Sequence, residues 1–237
     1  MFNRIDRDPN AIAMLWILIS LFFCWLIFRE FRSRWFTRPG YDGPDPRPIY
    51  KPYLAVLIAL ALAFAWPPFH YWRIERLLSA KATELADPRR AEVHCNTVFD
   101  TFLDREYLSI GHADPKTGKI VLQYPWCARL MDYLDHPDRA NSEEITSLNM
   151  FTHESMHARG EYNEAITECE AVQRDYRAAK LLGVPDKVAR KNALDYYQNI
   201  YMLKEKIGGF QAPYFSVECA PDKALDEHLV DSTWEAR

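Results

Sequence analysis

The chain has 237 residues, a formal net charge of −4, 49% hydrophobic residues and 14% aromatics. A slightly acidic balance lacks the basic footprint of a nucleic-acid binder, so no nucleic-acid partner is expected. Much of the apolar content sits in two uncharged runs near the N-terminus, which argues against a wholly water-exposed globule and leaves 91–237, long enough for one domain with its own core.

Residues 1–10 form a short tail in which Arg4 and Arg7 balance Asp6 and Asp8. The run 11–28 carries Leu15, Trp16, Ile17, Leu18, Phe22, Phe23, Trp25 and Leu26 with no charge, enough for a first transmembrane helix. A cleaved signal peptide is the alternative; the flank Arg29-Glu30-Phe31-Arg32 offers no small-residue cleavage site and speaks against it. The loop 29–52 holds Arg29, Arg32, Arg34, Arg38, Arg47 and Lys51 against few acids. A second uncharged run, 53–69, follows Lys51-Pro52 and ends at Pro67-Pro68, where the helix is expected to stop. By the positive-inside rule the basic loop faces the cytoplasm and everything after about residue 70 lies outside. Trp66, Tyr71 and Trp72 suit an interfacial aromatic belt. Residues 70–90 read as a separate juxtamembrane helix with Ile74, Leu77, Leu78 and Leu85 on one face.

Within 91–237 the pattern is mainly helical with a small β-hairpin. Tyr107-Leu108-Ser109-Ile110 and Lys119-Ile120-Val121-Leu122-Gln123 read as its two strands, around the turn Asp114-Pro115-Lys116-Thr117-Gly118. Pro125 to Leu134 reads as a helix. Asn141-Ser142-Glu143-Glu144 is a capping box, and Gly160 is the matching stop signal. Between them Ile145, Leu148, Thr152 and Met156 make one stripe, and Met150, His153 and His157 its neighbour. Asn163 is an N-cap for a further helix, striped by Ile166, Cys169, Val172, Tyr176 and Ala179 and ended by Gly183 and Pro185. One more helix runs from about Lys187 to Ile207, and the tail 210–237 is irregular.

Four of the five cysteines, Cys95, Cys127, Cys169 and Cys219, share the C-terminal domain. An even number on the outer side of a membrane suits two disulfides, with three pairings open. No C-x-x-C occurs, which disfavours a cysteine zinc cluster.

The chemistry is concentrated in His153-Glu154-Ser155-Met156-His157, an H-E-x-x-H motif. On a helix the two His stand one turn apart on one face and can share a metal ion, with Glu154 beside them as a general base for water. The plain alternative is a solvated His/Glu face. A catalytic zinc takes three protein ligands as a rule. Glu164, in the first turn of the next helix, is the preferred third ligand, with Glu168 next or as the carboxylate that orients a ligand His, and Glu161 and Glu170 as rivals. Tyr214 and His228 are candidate donors to a developing oxyanion.

These residues resemble those of zincin metallopeptidases. In the thermolysin-like branch H-E-x-x-H is followed by N-E-x-x-S-D on a second helix, and this chain has Asn163-Glu164-Ala165-Ile166-Thr167-Glu168. The resemblance covers His153 to Glu168. It implies zinc on His153, His157 and Glu164, Glu154 as base, and Glu168 fixing a His tautomer. It departs from that branch in the short gap between His157 and Glu164. It departs from the metzincin pattern in having Asn163 where a third His belongs. The compact spacing is similar to that of small membrane-tethered bacterial proteins. Zincins often lay a peptide substrate along a strand edge, a role the resemblance gives to Ile120–Gln123. The expectation is a zincin-like, two-pass membrane-anchored zinc metalloprotease acting on a peptide or protein outside the cell membrane. The alternatives are a protein with a purely structural zinc and a metal-free interaction module.

Overall fold

The computed structural model describes residues 11–35, 50–104, 106 and 108–234. The tail 1–10, most of the basic loop and Tyr107 lie outside the described residues. The chain divides into two compact units, 1–73 and 74–237.

In the first unit, α1 (Ala11–Trp35) and the first part of α2 (Lys51–Leu85) are both long and apolar enough to cross a membrane. They touch through Trp16 and Phe23, whose rings meet Phe64, and through the Ser20 hydroxyl, which donates to the Ala61 carbonyl at 2.9 Å. Most of their large apolar side chains, Leu15, Leu18, Phe22, Leu62 and Trp66 among them, face outward. The prolines do not end the second helix as expected: α2 runs through Pro67 and Pro68 to Leu85. Each proline costs the ladder a hydrogen bond and crowds the carbonyl four residues back, a local cost that a long apolar helix tolerates. The expected juxtamembrane helix is therefore the end of α2, and from Ile74 onward it belongs to the C-terminal unit, where Leu78, Ala82 and Leu85 are buried.

The second unit is mainly helical around a three-stranded sheet of order β1-β3-β2: β1 is Glu92–Cys95, β2 Gly111–Asp114 and β3 Lys119–Leu122. β3 pairs parallel to β1 and antiparallel to β2. The hairpin's first arm is Gly111–Asp114, not the stretch ending at Ile110. Asp114 caps the turn with its carboxylate on the Lys116 N–H and the Thr117 hydroxyl, which fixes the strand end there. β1 gave no alternation signal because it is only four residues long. Its outer edge is closed by α2. Thr83 exchanges hydrogen bonds with Ala91, the Ser79 hydroxyl accepts from the Val93 N–H, and Glu75 accepts from the Cys95 N–H. These side chains stand at i, i+4 and i+8 on one helix face, matching every second residue of the strand. β3 is thus central, which corrects the expected edge role of Ile120–Gln123; the sheet edge beside the metal-motif helix is β2.

The helices that follow in this unit are α3 (Val98–Leu103), α4 (Trp126–Asp135), α5 (Ser142–Arg159), α6 (Glu164–Leu181) and α7 (Asp186–Tyr196). A π turn (Tyr197–Tyr201) then leads into α8 (Met202–Ile207), so the last expected helix is interrupted. The core is built on α5, buried on almost every face and packed between α4, α6 and the sheet. Leu78, Ile120, Leu122, Leu130, Leu148, Phe151, Met156 and Tyr196 fill it. Cys95 bonds to Cys127, tying β1 to α4, and Cys169 bonds to Cys219, tying α6 to the tail.

Candidate metal centre

The capping box opens α5 as its sequence implies: Asn141 Oδ1 accepts from the Glu143 and Glu144 N–H groups, and the Glu144 carboxylate accepts from the Asn141 N–H. Gly160 ends it at φ 120°, a conformation that disfavours a side chain, and the Arg89 guanidinium stands 2.9 Å from where a Cβ would be. The chain reverses through Glu161, whose carboxylate accepts from the Tyr162 and Asn163 N–H groups. Asn163 then caps α6. The short link lays the first turn of α6 against the last turns of α5.

The result is a convergence of three atoms. His153 Nε2 lies 3.1 Å from His157 Nε2 and 3.2 Å from Glu164 Oε2, and His157 Nε2 lies 3.3 Å from the same oxygen. Three donors of a tetrahedral zinc, each about 2.0–2.1 Å from the ion, stand about 3.3–3.4 Å apart. The other ring nitrogens decide what these atoms are. His153 Nδ1 is 2.8 Å from Glu168 Oε2, and His157 Nδ1 is 2.8 Å from the Glu161 carbonyl oxygen. Both partners accept, so each Nδ1 is placed to donate its proton, and each Nε2 presents a lone pair whenever its ring is neutral. Two lone pairs and a carboxylate oxygen facing one point are a donor set that can hold a cation. The residues fit a divalent metal.

The electrostatics agree. Burial opposes charge on His153, yet hydrogen bonds to Glu164 and Glu168 raise its pKa to about 10. Glu164 is held at about 2 by its hydrogen bonds to His153 and His157. A proton on an imidazole and a metal ion are competing ways to meet the same demand for positive charge.

Glu168 is fully buried, and its burial is offset by Lys204 and His153, which hold its pKa at about 2. Its second oxygen accepts from the Tyr196 hydroxyl at 2.7 Å and from Lys204 Nζ. So Glu168 orients His153 from the Nδ1 side, and Glu164 stands on the Nε2 side. That arrangement separates the two acidic candidates, one helical turn apart. Glu161 serves the turn. Glu170 lies toward Arg159, 3.8 Å away.

Glu154 is buried beside the cluster, with burial raising its pKa against the pull of His153, His157 and His112. Its Oε2 makes no hydrogen bond among the described residues, and Oε1 would lie 3.3 Å from a Cβ at Gly111 of β2. Tyr214 reaches the same place, its ring 5.7 Å from that of His153. His228 does not join them. It sits exposed on the tail with Asp222 and Asp226, its Nδ1 3.4 Å from Asp226.

Three residues were not singled out by sequence reasoning. Lys204 and Tyr196 carry a weak signal, a lysine and a tyrosine within an otherwise apolar helix face. Gly111 carries none, because its importance is the space it leaves.

Comparison with protein-family models, characterised proteins and solved structures gives no match.

Proposed function

We propose that this chain is a membrane-anchored zinc-dependent peptidase with a zincin-like site, its C-terminal unit on the outer side of the cell membrane. The observation that carries the reading is the meeting of His153 Nε2, His157 Nε2 and Glu164 Oε2 within 3.3 Å, beside a buried carboxylate with an uncommitted oxygen. Zinc bound there supplies a Lewis acid that polarises a carbonyl and lowers the pKa of water to about 7. Glu154 takes a proton at Oε2, and its burial-raised pKa suits it to return that proton to the departing amine. Tyr214 presents its hydroxyl as a donor to the charge growing on the carbonyl oxygen. Glu164, 40% exposed, marks the open side by which a substrate reaches the ion. The edge strand β2, running past Glu154, offers its outer backbone groups to an extended peptide. The two disulfides and the basic loop support the outward orientation.

The test is the full-length protein, purified without chelator and assayed for zinc and for cleavage of a fluorogenic peptide library. About one zinc per chain is expected. Glu154→Gln is expected to keep the metal and lose hydrolysis by at least about 10²-fold, and His157→Ala to lose both. Full turnover by Glu154→Gln would overturn the mechanism. Zinc without any cleavage would leave a structural metal, and no zinc at all an interaction module.

A further inference from the structure

A basic cleft of about 580 Å³ opens at the C-terminal end of α5. Arg89 and Arg90, Lys116 and Gly118 of the hairpin turn, Ala158 of α5 and Tyr162 of the link to α6 line it, with no acid among the lining residues. Arg89, Arg90 and Lys116 are all exposed. Arg89 donates to the Pro115 carbonyl at 2.8 Å, not to a carboxylate. The neighbouring acids serve other groups. Asp114 caps the hairpin turn, Glu161 accepts from the Tyr162 and Asn163 N–H groups, and Glu92 lines a separate hollow with Thr83. In a chain of net charge −4, three cations gathered around one cleft make a local field of the opposite sign, and such a field draws anions.

The cleft and the metal centre lie along one strand. β2 packs against α5. At its start Gly111 meets Glu154. Just past its end, Pro115 and Lys116 share the cleft with Ala158, which stands one helical turn beyond Glu154. β2 therefore leads from the proposed base to the cleft, a distance of about 10 Å for its three residue steps. The walls of the cleft are built in advance. The Arg89 guanidinium is held between the Pro115 carbonyl and Gly160. Gly118, at φ 73°, comes so close to the Arg90 carbonyl oxygen that a Cβ would stand 2.1 Å from it, and its own carbonyl accepts from the Glu92 N–H at 2.9 Å. Less ordering is then left to oppose binding.

We propose that this cleft binds a carboxylate of a peptide laid along the outer edge of β2, so that the site acts on acidic chain segments. Guanidinium groups take a carboxylate through charge-assisted hydrogen bonds in a planar fork, and Lys116 adds a point charge. An extended peptide advances about 3.3 Å per residue, which puts the carboxylate about three or four residues from the bond at Glu154. The path along β2 rests on the peptidase reading; the affinity of the cleft for a carboxylate does not.

The experiment uses the full-length, zinc-loaded protein carrying Glu154→Gln, with binding read by the anisotropy of rhodamine-labelled peptides. The probes are C-terminally amidated alanine-serine peptides of about ten residues holding two adjacent glutamates or, in the control, two glutamines. The glutamate peptide is expected to bind at least about tenfold more tightly, the worth of one charge-assisted hydrogen bond. Arg90→Gln together with Lys116→Gln should bring the two peptides to within about twofold of each other at unchanged zinc content. Lys116→Gln alone, on an exposed turn, should lose part of the preference. Equal binding of the two peptides, or a preference that the double variant keeps, would overturn the proposal. A glutamine peptide with a free C-terminus separates the sources: tight binding of it assigns the carboxylate to a chain end, weak binding to an acidic side chain. With the native Glu154 restored, cuts are expected three or four residues from the bound carboxylate, and cuts placed without regard to it would overturn the path along β2. Carboxylate preference without cleavage of any peptide would remove the peptidase reading and leave the cleft, a failure distinct from that of the proposal.

Discussion

His153 is gripped through both ring nitrogens, and the two grips do different work. Nε2 faces His157 Nε2 and Glu164 Oε2, the proposed zinc donors. Nδ1 is fixed by Glu168, which Lys204 and Tyr196 hold in turn. Taking away Lys204 leaves a buried carboxylate without its cation, and the ring it steadies loses its fixed orientation. Lys204→Met is expected to weaken zinc binding by about 10–100-fold, read by competition with a chromophoric chelator, with Lys204→Arg recovering part of the loss. Retention of native affinity by Lys204→Met would show that the ring is held by packing alone. Gly111 acts through volume: a Cβ there would meet the Val121 carbonyl at 3.2 Å and Glu154 at 3.3 Å. Gly111→Val should therefore displace Glu154, lowering hydrolysis while zinc content stays at the native level.

At the scale of elements, the site is made by α5 and α6, joined by a link too short to let them separate. The motif and both caps on these helices were legible, because capping residues and i, i+4 spacing are local properties. The convergence of Glu164 on the two imidazoles was not, since it depends on the angle at which α6 leaves Gly160. The π turn is another tertiary decision. Eight residues of regular helix would put Lys204 about 80° away from Tyr196, and one extra residue absorbed in a π turn returns it to within about 20°. Deeper in the same interface Asp175 is fully buried, with one oxygen on the Asn149 amide and the other without a partner among the described residues. Burial raises its pKa to about 8. An unfolded aspartate titrates near 3.9, so between about pH 4 and 8 the native state holds a proton that the unfolded chain has lost. The associated stability is whole below about pH 4 and falls as pH rises through that window. Asp175→Asn should flatten this decline, seen as denaturation midpoints that differ less between pH 5.5 and 8.5 than in the native sequence. An unchanged slope would assign the pH dependence elsewhere. The Cys169–Cys219 bridge pins α6 to the tail that carries Tyr214. Replacing both cysteines by serine is expected to cost about 2–5 kcal/mol of stability, measured by denaturant titration, and to reduce turnover more than zinc content.

For the whole molecule, the proposed membrane-anchored arrangement predicts a simple labelling pattern. Alkylation of the unreduced, detergent-solubilised protein should modify Cys24 alone, and a tag after Arg237 should be reachable from outside intact cells. Four more reactive thiols together with a shielded tag would place the domain in the cytoplasm. Composition and patterning determined much by themselves: two helices apolar enough to span a bilayer, a helical domain with a hairpin, the H-E-x-x-H pair on one helix face, and an even set of cysteines beyond the spans. Each of these follows from periodicity, length or residue chemistry within a short window. The tertiary structure decided the rest. It chose which cysteines pair, which of two glutamates meets the two Nε2 atoms and which orients a ring, and which strand is the edge. It also carried α2 past its two prolines. Those outcomes depend on contacts between residues far apart in the chain, where spacing along the sequence carries no information about direction in space.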